Sequence, residues 1–124
     1  MPKLNLYLPS YVRAALAGEM RSAASAGKKK SFSGFLTGKL ARLIGEGRAD
    51  VSLLPPERAA ISNASKEYHL SVKVDKALME KLKAEAEASG LSPSYYATAV
   101  LMNHALSISK DARAFHISIF FRGR

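Results

Sequence analysis

With 124 residues, the chain can bury one modest core but not two independent ones. Lys and Arg number 19 against 10 Asp and Glu, and the net charge of +9 points to a polyanionic partner, nucleic acid before membrane. The lack of cysteine excludes disulfides and thiolate chemistry and suits a reducing cytoplasm, and no apolar run approaches the ~20 residues of a membrane span.

The first predicted element is the strand Lys3-Leu4-Asn5-Leu6-Tyr7-Leu8, too strand-like to read as a signal peptide. Leu4, Leu6 and Leu8 fall on one face, Lys3, Asn5 and Tyr7 on the other. The apolar face requires a core. The opposite face carries an ammonium, an amide and a phenol, each able to hydrogen-bond a base edge. Pro9 ends the strand, because it has no N–H to give a ladder. Ser10 then caps a helix with the apolar stripe Val12, Ala15, Leu16, Met20, Ala23 and Ala24, closed by Gly27.

Lys28-Lys29-Lys30 stands directly before Ser31, the predicted start of a second helix. Three adjacent lysines are commonly no more than a solvated loop. Here they sit beside a helix start, where free N–H groups and the positive dipole end suit a phosphate, and the phosphate reading is preferred. The second helix turns Phe35, Leu36, Leu40, Leu43 and Ile44 to one side, a stripe for a core or an interface, not for a cofactor. Gly45 and Gly47 close it. Residues 46–66 are a connector: Leu53-Leu54-Pro55-Pro56 cannot continue a helix, Glu57 to Ile61 adds at most one turn, and Val51, Leu53 and Leu54 are expected to pin it down.

The strand, helix, helix order then recurs. Tyr68-His69-Leu70-Ser71-Val72-Lys73-Val74-Asp75 repeats the first strand at an offset of 66 residues, with Leu70, Val72 and Val74 inward and His69, Ser71 and Lys73 outward. Leu78, Leu82 and Ala86 mark the inner side of the helix that follows, and Gly90 is its C-cap. Ser92 with Pro93 opens the last helix. Ser31-Phe32-Ser33-Gly34-Phe35-Leu36-Thr37 with Leu40 matches Ser92-Pro93-Ser94-Tyr95-Tyr96-Ala97-Thr98 with Leu101 at an offset of 61. The shared pattern is Ser-x-Ser-x-aromatic-small/apolar-Thr-x-x-Leu. In the tail, Phe115-His116-Ile117-Ser118-Ile119-Phe120-Phe121 alternates like a third strand. It reads either as an edge strand over its own domain or as a strand, over 114–121, that self-associates with a second molecule.

This duplicated pattern resembles the ribbon-helix-helix family of DNA-binding proteins, to which the Arc and MetJ repressors belong. The resemblance implies a fold that is α+β and mainly α. Two ribbon-helix-helix repeats in one chain would form an intramolecular pseudo-dimer, with an extra C-terminal strand. Residues 1–45 would be the first repeat, 46–66 the connector, 67–108 the second repeat and 109–124 the C-terminal strand or tail. It further implies that the paired strands enter the major groove, with Lys3, Asn5, Tyr7, His69, Ser71 and Lys73 contacting bases. Phosphates would be held at the second-helix starts by Lys28, Lys29, Lys30, Ser31, Phe32 and Ser33, and by Ser92 and Ser94. The second copy lacks the lysine cluster and carries Glu80, Glu85 and Glu87, so its clamp is expected to be weaker. Charge is divided in the same sense: residues 1–48 sum to +7, residues 49–109 to −1 and residues 110–124 to +3.

An enzyme is not expected. His69, His104 and His116 have no ligand spacing for a metal, no glycine-rich phosphate loop precedes a helix, and no carboxylates pair, so neither metal nor cofactor is expected. His104 falls on the inner side of the last helix, where a hydrogen-bonded core histidine is the ordinary reading. The expected partner is double-stranded DNA, read by sequence, with no membrane involved and a cytoplasmic location. The role is that of a transcriptional repressor or a plasmid-transfer (relaxosome) accessory factor. The alternative is a protein-interaction or antitoxin-like module using the basic surface and the tail strand.

Overall fold

The computed structural model describes residues 2–8, 10–23, 31–52 and 69–114. In chain order these form β1 (Lys3–Tyr7), α1 (Ser10–Ala23), α2 (Phe32–Gly45), β2 (His69–Lys73), α3 (Lys76–Ala88) and α4 (Pro93–Ile108). The fold is mainly helical, with one two-stranded antiparallel sheet. Pro9, Gly27, Lys28, Lys29 and Lys30, the run from Leu53 to Ile61, Tyr68 and the tail from Phe115 to Phe121 lie outside the described residues.

The strands obey their alternation. Leu4, Leu6 and Val72 are buried while Lys3, Asn5, Ser71 and Lys73 are exposed, so the sheet has one dry and one wet face. Such a face needs a cover, because a hairpin-sized sheet has no independent stability in water. The cover comes crosswise: β1 lies against α4 and β2 against α2. Each strand therefore rests on the second helix of the other half of the chain, and neither half can complete its core alone. The cross-links include a hydrogen bond from the Tyr7 amide to Thr98 Oγ1 at 3.3 Å, spanning 91 residues.

Three helix starts carry a capping side chain, whereas Ser10, expected to cap α1, is instead its first helical residue. Ser31 accepts from the Gly34 amide at 3.1 Å, Ser92 from the Tyr95 amide at 3.2 Å, and Asp75 from the Leu78 amide at 2.7 Å. Gly90 and Gly47, just past the ends of α3 and α2, hold φ of 72° and 67°, a left-handed conformation that a side chain would strain. Ala49 and Val51 pack onto the core, so the first part of the connector is pinned as expected.

Leu70, expected inward with Val72 and Val74, does pack against the core, though half-buried where they are fully buried. The expected tail strand lies outside the described residues except for Ala114, which is helical together with residues 110–113. Ser109 caps this segment, accepting from the Ala112 amide at 3.2 Å, and Ala112 returns to the core at 5 % exposure. The signal was Ser109 followed by Asp111, an N-cap with an acid in the first turn, which the alternation further on overshadowed.

Candidate nucleic-acid interface

The antiparallel register is Lys3↔Lys73, Leu4↔Val72, Asn5↔Ser71, Leu6↔Leu70 and Tyr7↔His69. It has an internal symmetry that agrees with the sequence offset. At an offset of 66, Asn5 corresponds to Ser71, and these two lie directly opposite one another at the middle of the ribbon. Leu4 and Leu6 correspond to Leu70 and Val72, and each lies opposite the other's counterpart. A ribbon made by two equivalent strands must pair in this way about a central two-fold. The hydrogen bond from the Val74 amide to Pro2 O, at 3.0 Å, extends the pairing beyond Lys3.

The ribbon brings together five of the six residues proposed for base contact on described side chains: Lys3, Asn5, Ser71 and Lys73 are exposed, and Tyr7 is half-buried. The backbone of His69 completes the register opposite Tyr7. The outer face is rich in donors. Lys3 and Lys73 supply ammonium groups, Asn5 an amide that can donate and accept, and Ser71 a hydroxyl. The two lysines are directly opposed, where like charges weaken a ladder. Neither lysine forms an ion pair among the described residues.

The two helix starts are built alike but not equally. At α2, Ser31 is exposed and Phe32 and Ser33 are half-buried, and their first-turn amides have no intrahelical partner. At α4, Pro93 occupies the first helical position and has no N–H, so this start presents one donor fewer beside exposed Ser92 and half-buried Ser94.

Behind the ribbon, a charged cluster ties three helices together, and its acid carried no signal in the sequence pattern. Glu19 of α1 places Oε1 3.2 Å from Lys39 Nζ of α2 and Oε2 2.8 Å from His104 Nε2 of α4. The carboxylate only accepts, so Nε2 carries the proton that joins them. Burial pushes the Glu19 carboxyl up, but the hydrogen bonds and charges of His104 and Lys39 outweigh it and hold the group below its ordinary value. Lys39 also lies over the Phe35 ring, 5.6 Å from its centre. His104, expected to be a hydrogen-bonded core histidine, is one. The acidic Glu19 was hidden because a lone Glu on a helix face ordinarily reads as solvated. Tyr96, buried under α3, has its phenol pushed up by burial and then by nearby Glu85.

Among the described residues, no helix is long and apolar enough to cross a membrane. No group of three or more His, Cys, Asp or Glu among them is arranged to hold a metal ion. In comparisons with known proteins, no family model, no curated protein and no solved structure matches the chain.

Proposed function

We propose that the chain is a sequence-specific double-stranded DNA-binding protein that lays its two-stranded ribbon in the major groove. The observation that carries this reading is the register: two strands of one chain, paired about Asn5 and Ser71, put Lys3, Asn5, Ser71 and Lys73 together on one exposed face. A two-stranded ribbon fits the major groove, where donors and acceptors distinguish all four base pairs. The arrangement supports a ribbon-helix-helix pseudo-dimer closed within one chain. The offset symmetry of the pairing and the crosswise packing of β1 on α4 and β2 on α2 are what two interlocked repeats require.

In this reading base contacts come from Lys3, Asn5, Tyr7, His69, Ser71 and Lys73. Backbone phosphates are held at the starts of α2 and α4, the first reinforced by Lys28, Lys29 and Lys30. Phosphate contacts set register and affinity, and base contacts set sequence. A transcriptional repressor and a plasmid-transfer accessory factor would use the same interface. The reading rests on surface chemistry as well as on shape. A module built only to bind protein has no use for two opposed lysines, an amide and a hydroxyl on one small exposed face.

The test is a binding titration with duplexes selected from random sequence, followed by Asn5→Ala. The variant is expected to lose about 1–3 kcal/mol on the selected site and little on unrelated DNA. An equal loss on both would make Asn5 a backbone contact, and no duplex binding at low salt would end the proposal.

A further inference from the structure

The two ends of the ribbon's outer face differ chemically. The register places Lys3 opposite Lys73 at one end and Tyr7 opposite His69 at the other, with Asn5 and Ser71 between. Exchanging the two halves would carry Lys3 onto the position of His69 and Tyr7 onto that of Lys73. The central two-fold therefore relates unlike residues, and both cations gather at one end. Lys3 and Lys73 are exposed and have no ion pair among the described residues, whereas Tyr7 is half-buried. Lys3 and Tyr7 are about 13 Å apart along the strand, the length of about four base pairs.

We infer that the chain reads duplex DNA in one fixed direction, with Lys3 and Lys73 together donating to guanine O6 and N7 at one end of an asymmetric site. The inference rests on the DNA-binding reading above. An ammonium group only donates, so it selects edges rich in acceptors. In the major groove guanine presents two acceptors side by side. Adenine sets a donor beside its acceptor, cytosine presents a donor, and thymine sets a methyl group beside one acceptor. Two opposed cations that repel each other in the free chain gain most where they meet several acceptors at once. The other end, with Tyr7 and His69, carries a phenol and an imidazole in place of two ammonium groups. Turning the chain around on its site would place the lysines over the wrong base pairs, which fixes the direction.

Selection of duplexes from a random library by the full chain tests this, combined with directed cleavage. The sequence has no cysteine, so Lys76→Cys at the exposed start of α3 gives a single attachment point for an iron–EDTA reagent beside the lysine end. The expected result is a non-palindromic site with G·C pairs at one end and cleavage on that side only. The double variant Lys3→Met, Lys73→Met keeps both aliphatic stems and, with both residues exposed, is expected to stay folded by circular dichroism. It should lose roughly tenfold or more of the preference for guanine at that end while keeping the central base pairs.

A palindromic selected site, equal cleavage on both sides, or an equal loss by the double variant on every sequence would overturn the fixed direction and leave DNA binding intact. Failure of the full chain to retain any duplex would overturn both together.

Discussion

Helices α2 and α4 begin with the same capping serine and share a sequence pattern, yet they do different work. In α4 ten residues are buried, from Tyr96 to Leu106, and the helix touches α1, α2, α3 and β1. It contains no Asp, Glu, Lys or Arg, as a helix surrounded on all sides must. In α2 only Leu36, Leu40 and Leu43 are buried, Arg42 is exposed, and Lys39 is half-buried against Glu19. The comparison teaches that two helices with a like sequence pattern can take unlike places in one fold. A dimer of identical chains must present the same helix twice. A single chain with two like helices can make one the centre of the core and leave the other more open to solvent.

The matched positions Gly38 and Ala99, 61 residues apart, break or sharpen this contrast most strongly. Ala99 is fully buried, whereas a Cβ at exposed Gly38 would meet nothing within 4 Å. Ala99→Glu would place an unpaired charge in the core and is expected to cost more than about 4 kcal/mol, enough to unfold a small domain. Gly38→Glu should leave stability unchanged or slightly raised. Urea denaturation of both variants gives the comparison, and similar losses at the two sites would show that α2 is buried as α4 is.

Glu19 comes next, as the group that holds α1 to both unlike helices. Glu19→Gln is expected to cost about 1–3 kcal/mol at neutral pH, because the neutral amide gives up the ion pair with Lys39 and the charge-assisted hydrogen bond from His104. The sign of the pH effect follows from the lowered folded-state value. Stability from Glu19 is fully present above its unfolded value near 4.5 and is lost as pH falls below that through the folded value. The gap between native chain and variant should accordingly close in acid. A gap that stays constant from pH 7 down to strong acid would show that the cluster acts by packing alone.

The smallest expected effect is a gain. Gly38→Ala should stabilise the chain by roughly 0.5–1 kcal/mol, since Gly38 lies inside α2 with open space around it. A loss of that size, measured by thermal or urea melting, would mean that another surface approaches α2 closely at this point.

The strands were the most legible part of the sequence, because strict alternation specifies the buried face. Leu4, Leu6 and Val72 follow it, whereas the opposition of Asn5 and Ser71 at the centre is set by the pairing of the strands and is only compatible with the repeat offset. The helix starts were legible through Ser31, Asp75 and Ser92, since capping depends on local residues. What was not legible depends on packing between distant elements. Nothing local says that Phe35 and Ile44 are only half-buried while their counterparts on α4 are enclosed. The partners of Glu19 are 20 and 85 residues away, beyond the reach of any periodicity. The helical segment over 110–114 had its signal in Ser109 and Asp111, but one short turn competes poorly with a longer alternating run.

The central claim, that the outer face of the ribbon is the DNA-binding surface, is tested most directly by residue-resolved NMR. The ¹⁵N-labelled chain would be titrated with its selected duplex at two salt concentrations. The account predicts that amide shifts concentrate in residues 3–7 and 69–73 and at the starts of α2 and α4, while the buried middle of α4 stays still. Shifts confined to the exposed side of α2, with the ribbon unmoved, would contradict it.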